Sequence, residues 1–156
     1  MSGLGAIVKK TILAAAILAA VQPSWAAEKS TTSCYTQNAI EAEQAIRFMT
    51  DVMVASSICQ NTTYAEFRLR NRDPIVAYQK VMITHFHGNA GFDRWNTTLA
   101  NEASQKHAGV LSSQFCDQAA AMFQQAAGFD PQGFRAYAAS QAAAAQAQYP
   151  ACRGKK

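Results

Sequence analysis

The sequence predicts an all-α fold, an irregular helical bundle of about five to six helices around a central buried helix, stapled by two disulfides. Three observations predict it. Apolar residues recur at spacings of three and four along most of the chain, and no stretch alternates apolar and polar residues long enough to make a strand. Helix starts and stops are marked by Asn-Thr-Thr, two Asp-Pro pairs and several isolated glycines. Four cysteines, an even number, are spread from Cys34 to Cys152 with no CxxC or CxxxC pair among them.

The chain opens MSGLGAIVKKTILAAAILAAVQPSWAAEKS: a basic start at Lys9 and Lys10, an apolar run from Ile12 to Val21, a breaker at Pro23, then small residues. This is the layout of a secretory signal peptide. Ser24 and Ala26 satisfy the small-x-small rule, so residues 1–26 are expected to be removed, with cleavage after Ala27 as the neighbouring choice. A membrane anchor is the competing reading, but the apolar run falls short of the roughly 20 residues a spanning helix needs. Export implies a periplasmic or secreted bacterial protein with no stable membrane insertion after cleavage. It also reduces the charge, because losing Lys9 and Lys10 lowers the formal +4 to +2.

About 130 residues then remain, enough for one domain with one core. Residues 27–128 are expected to form it. Residues 129–156 are an Ala/Gln-rich helix and short basic tail, either packed on the core or loosely attached.

Taking the elements in order, the first helix is expected from about Asn38 to Ile58, with Ile40, Ile46, Met49, Val52, Met53 and Ser56 at helical spacing. Gln44, Arg47 and Asp51 make its narrow polar stripe, on which Arg47 and Asp51, four apart, are placed to pair. Asp51 is the sole charge between Phe48 and Cys59, so this helix should be the buried centre. A short second helix follows Asn61-Thr62-Thr63, with Thr63 and Glu66 at capping-box spacing. Asp73-Pro74 marks a new start after a bend near 71–73. From there Ile75, Tyr78, Val81, Met82, His85 and Phe86 make an apolar face that Gly88 ends. Asn89 then caps a fourth helix through about His107, anchored by Phe92, Trp95, Leu99 and Ala103, with Gly109 as its stop. Ser112 and Ser113 are placed to cap a fifth helix carrying Phe115, Ala119, Met122, Phe123 and Ala126, which Gly128 closes. Asp130-Pro131 starts a sixth that runs into RAYAASQAAAAQAQ and stops at Tyr149-Pro150. Alanine's propensity favours helix there, yet small side chains limit what it can bury.

Helix length constrains the disulfides. An intact first helix holds Cys34 and Cys59 roughly 30 Å apart, and a bridge needs alpha carbons within about 7 Å. That removes one of three connectivities. Cys59 ends the first helix and Cys116 lies in the first turn of the fifth, so Cys59–Cys116 with Cys34–Cys152 is preferred. Cys34–Cys116 with Cys59–Cys152 remains the alternative.

Chemical signatures are sparse. His85 and His87, two apart on a helix, point to nearly opposite sides, whereas a helical zinc pair needs a spacing of three or four. On a strand they would share a face and a site with His107 would become available; the helical reading assigns no metal and no cofactor. No G-x-S-x-G and no glycine-rich phosphate loop occurs. Glu41, Glu43, Asp51, Glu66, Asp93 and Glu102 offer carboxylates, but nothing in their spacing joins any two, and solvated helix faces account for them. Phe48, Met49, Met53, Met82, Phe86, Trp95, Met122 and Phe123 are read as core rather than as a lipid or cofactor box. Arg68, Arg70 and Arg72 alternate on a helix end and are not expected to share a face, so nucleic acid is not an expected partner. The sequons at Asn61 and Asn96 are read as a cap and a mid-helix chance match.

The stretches EAEQAIRFMTDVMVASSICQNTTYAEFRLR and HFHGNAGFDRWNTTLANEASQKHAG, with the motifs MVASSIC, TTYAEF and TTLANEAS, resemble small exported, cysteine-containing helical proteins of alphaproteobacteria that carry no assigned activity. The likeness spans about Glu41 to Cys116. It implies a periplasmic or secreted protein and brings no catalytic residues. The function expected is therefore that of a non-enzymatic protein-binding or accessory-subunit domain, with Asp93 and Arg94, off the apolar stripe, as the candidate interaction surface. Two alternatives stand beside it: a small cell-wall-directed hydrolase using carboxylates from different helices, and a carrier of an apolar ligand.

Overall fold

The computed structural model describes residues 34–150 and Cys152. The expected signal peptide, its cleavage site and the basic tail lie outside these residues. Six α-helices and one short 3-10 turn make up the described chain: α1 (Gln37–Cys59), α2 (Thr63–Arg70), α3 (Arg72–His85), α4 (Asn89–Gln105), α5 (Ser112–Gly128), α6 (Pro131–Ala145) and the turn Gln146–Gln148. The fold is an all-α bundle.

Helix α1 begins where the Thr36 hydroxyl accepts the Ala39 N–H, and ends as Gln60 turns left-handed at φ 51°. It is the centre of the bundle and packs against all five other helices. Ala42, Ala45, Ile46 and Val52 are almost wholly enclosed. Central position explains why small and β-branched residues dominate the helix: neighbours on most sides leave room for little else.

The connection into α2 differs from the expected capping box. Thr62, not Thr63, holds the cap position, and its hydroxyl donates to Glu66 Oε1 at 2.6 Å. The Asn61 side chain accepts the Thr63 N–H, and the Ser56 hydroxyl on α1 accepts the Tyr64 N–H, which pins the start of α2 to the central helix. The bend before α3 falls at Asn71, so Asp73 and Pro74 sit inside the first turn of α3 instead of starting it. A tertiary contact decides this: Asn71 is fully buried and its amide donates to the carbonyls of Phe67 and Phe129.

Between α3 and α4 the left-handed position belongs to His87 (φ 58°), one residue before the glycine expected to supply it. The N–H of His87 reaches Thr84 O and that of Gly88 reaches Ile83 O, closing the helix end. Gly88 (φ 131°) then precedes α4, and Asn89 is its first helical residue without a capping hydrogen bond. The glycine required by packing is Gly91, where an added Cβ would collide with the Phe86 carbonyl oxygen.

Helix α5 also starts without a side-chain cap. Leu111 holds the cap position, and Ser112 and Ser113 are already helical. At α6 the Asp130 carboxylate accepts the Gly133 N–H at 2.7 Å with Pro131 in the first turn, as its sequence signal anticipates. Phe134, Ala138 and Ala142 follow one another at spacing four and are fully buried. Alanine is what lets α6 lie close against α1 along this line. The segment is part of the bundle.

One core cluster joins Phe48, Phe67, Tyr78 and Phe134 with Phe129 and Tyr137 at its edge. A smaller one surrounds Ala55, Phe115 and Ala119. The disulfides are Cys34–Cys152 and Cys59–Cys116, with alpha carbons 4.6 and 5.7 Å apart. This is the preferred connectivity, and the alternative Cys34–Cys116 with Cys59–Cys152 is not formed. Beside the first bridge the Tyr35 N–H donates to the Pro150 carbonyl at 2.9 Å, so both ends of the described chain are tied together there. Among the described residues no helix is long and apolar enough to cross a membrane.

Candidate functional site

A concave surface with both apolar and charged character lies over α1, walled by α2, α3 and α4, with a volume of about 470 Å³. Met49, Thr50 and Met53 of α1 form its floor. Tyr64 and Arg68 of α2 stand on one side; Arg72, Ile75, Val76 and Gln79 of α3 on another, and Asn96 of α4 closes it. A second hollow of about 440 Å³ shares Tyr64, Arg68 and Arg72 and adds Ala65 and Leu69. Leu69 is 80 % exposed, the most exposed large apolar side chain among the described residues, and Val76 is exposed as well.

The short bent pair α2–α3 explains the geometry. Arg68 and Arg72 are four apart across the bend at Asn71 and line the same two hollows, whereas Arg70 turns elsewhere. Its guanidinium donates to the carbonyls of Ala126, Ala127 and Phe129, where α5 leaves carbonyl groups without intrahelical partners. The expectation that the three arginines share no face therefore fails for Arg68 and Arg72, for the elementary reason that residues four apart are neighbours on a helix. Spacing held that signal, as it did for Met49 and Met53. Of those two methionines, expected together in the core, Met53 is only half-buried.

A polar cluster sits at the Cys34–Cys152 end. Glu43 is 2 % exposed, and its Oε1 accepts Arg47 Nε at 2.7 Å and the Tyr149 hydroxyl at 2.9 Å. Arg47 therefore pairs with Glu43 and not with Asp51, and Glu43 lies in the interior instead of on a solvated face. Burial draws the pair together, because a buried carboxylate needs a compensating charge. Glu43 Oε2 has no hydrogen bond among the described residues. Tyr35 stacks between Tyr149 and His85, with ring centroids 4.7 and 4.1 Å away. Burial, and then the Glu43 carboxylate, hold the Tyr35 and Tyr149 phenols above their usual pKa. The hollow beside this cluster is lined by Gln44, Arg47, Gln141, Gln148 and Tyr149.

Asp51 lines a further hollow of about 300 Å³ with Lys106, His107, Phe115 and Met122. Burial raises its pKa, with Lys106, His107 and Arg47 pulling the other way. Of these four hollows, only this one has a carboxylate in its lining. Burial lowers the pKa of His85, whose ring packs on Tyr35 and Phe86, while His87 is exposed at the turn. Among the described residues no three His, Cys, Asp or Glu side chains gather into a group that could hold a metal ion. Asp93 and Arg94 are both exposed on α4, where the Arg94 carbonyl accepts the Thr98 hydroxyl; neither lines the cleft over α1.

No protein-family model matches the chain, and neither do the curated proteins or the solved structures with which it was compared.

Proposed function

We propose that this is an exported, non-enzymatic protein-binding or accessory-subunit domain, which engages its partner on the α2–α3 face. The observation that carries the reading is the cleft over α1, with the exposed side chains of Leu69 and Val76 beside it and two arginines at its rim. Exposed apolar groups next to a hollow are what a partner's anchor side chain fills. Two disulfides support a periplasmic or secreted location, since such bridges persist in oxidising compartments. The resemblance of the Glu41–Cys116 region to exported bacterial proteins points the same way.

The hydrolase alternative needs two carboxylates facing one cleft, about 5 to 9 Å apart, and the hollow at Asp51 has one. The carrier alternative needs an enclosed apolar cavity, whereas the cleft over α1 has arginines, an asparagine and a glutamine in its wall. Asp93 and Arg94 remain a second contact point, which Arg94→Glu without loss of binding would remove.

A photo-crosslinking side chain at position 69, in the full chain expressed in a Gram-negative envelope, tests the proposal. A discrete protein adduct from position 69, and none from the exposed control position 120 on α5, is the expected result. Equal labelling from both positions, or none, overturns it.

A further inference from the structure

Resting on that reading, we infer that the cleft receives a short acidic-apolar segment of the partner protein: an apolar side chain seated over Met49 and Met53, flanked by carboxylates held by Arg68 and Arg72. Charge is the first argument. Neither Arg68 nor Arg72 forms a salt bridge among the described residues, where Glu43–Arg47 is the one pair present. The nearest acidic residues in sequence form no ion pair with them: Glu66 accepts the Thr62 hydroxyl, and Asp73 lies exposed in the first turn of α3. Arg70, between them, shows what a satisfied guanidinium looks like here, with three carbonyl partners. Two guanidinium groups without an ion-pair partner among the described residues border one hollow, and carboxylates are their geometric complement.

The floor supplies the apolar half. Met53 and Val76 offer thioether and aliphatic surface, with the buried Met49 and Ile75 behind them, and methionine adapts its shape to different occupants. Extent decides between a peptide and a small molecule. The hollow over α1 continues, through Tyr64, Arg68 and Arg72, into the second hollow at Ala65 and Leu69. Two adjoining hollows with the arginines shared between them suit successive side chains of one segment. A single small acid would occupy one and leave Leu69 uncovered.

Selection of phage-displayed random peptides on the folded full chain tests this. The expected peptides combine Leu, Ile, Met or Phe with Asp or Glu within a few residues. A synthetic peptide of the selected sequence should lose about tenfold or more in affinity to the Arg68→Glu/Arg72→Glu protein and weaken as salt rises. Leu69→Ser should weaken it too, and Lys106→Glu, a charge control at the end of α4 that lines neither hollow, should not. Helical circular dichroism checks that each variant is folded. Peptides that bind through Leu69 but lack acidic residues and ignore Arg68 and Arg72 overturn the occupant and leave the protein-binding reading intact. Peptides insensitive to all three residues, or none enriched over the double variant, overturn both. Displacement of the peptide by octanoate alone would assign the cleft to small carboxylic acids and end the peptide reading.

Discussion

Phe48 and Met49 are consecutive in α1, about 100° apart around the helix, and they meet different surroundings. The Phe48 ring lies 4.8 to 6.3 Å from those of Tyr137, Phe129, Phe67 and Phe134. Met49 faces the cleft, where about 470 Å³ is not filled by protein. On the α6 side rings pack edge to face and the fully buried alanines of α6 bring the helices close. On the α2–α3 side the flanking helix is only eight residues long and bends at Asn71, and a hollow lies beside it although Met49 itself is buried. The difference teaches how unevenly one helix is packed: aromatic rings fill one side of it, and a hollow borders the other.

The largest expected effect tests whether the bridge that joins the two ends is needed by both sides. Cys34–Cys152 closes a separation of 118 residues, for which chain entropy gives roughly 4–5 kcal/mol. The Cys34→Ser/Cys152→Ser double variant should lose about that much in chemical denaturation. Next, Phe134→Ala on the filled side should cost about 3–5 kcal/mol, and Met53→Ala at the cleft no more than about 2 kcal/mol. Equal losses would dissolve the contrast. Third, Arg70→Ala should cost about 1–3 kcal/mol by leaving carbonyls of the α5 end without their partner, whereas Arg72→Ala should change stability by less than about 0.5 kcal/mol.

The smallest effect is alkaline. Burial raises the Tyr78 pKa, followed by its 2.7 Å hydrogen bond to Glu41, and burial raises that of Tyr137, with Asp51 adding to it. A raised native pKa means the folded state favours the neutral phenol. That contribution is complete below the ordinary value of 10.0 and is lost as pH climbs from there toward the raised native values. Denaturation midpoints measured through rising pH should fall above about 10, and Tyr78→Phe should flatten the decline.

Local reading reached a long way into this protein. Helical spacing and the Asp130-Pro131 start are properties of neighbouring residues, so the helices were legible before any tertiary contact, and helix length ruled out Cys34–Cys59 while leaving two pairings of the cysteines open. The misplaced details share another origin. Thr62 displaced Thr63 as the cap of α2, and Asn71 rather than Asp73 holds the cap position of α3, because Ser56 and Phe129, distant in sequence, hold these turns. Arg47 chose Glu43 over Asp51 because Glu43 is buried and requires a charge, while both acids stand four residues from Arg47 and look alike in sequence. The cleft was missed for the same reason. Met49 and Met53 carry apolar periodicity whether or not a hollow lies beside them, and only the length and bend of α2–α3 leave one there.

By itself, then, the sequence determined a helical chain with a central helix too long for Cys34 to meet Cys59, since spacing and rise act locally. Tertiary structure alone decided which carboxylate is buried and which arginine caps α5. Those choices depend on desolvation and on contacts between residues far apart in the chain, and neither is written in the residues' order.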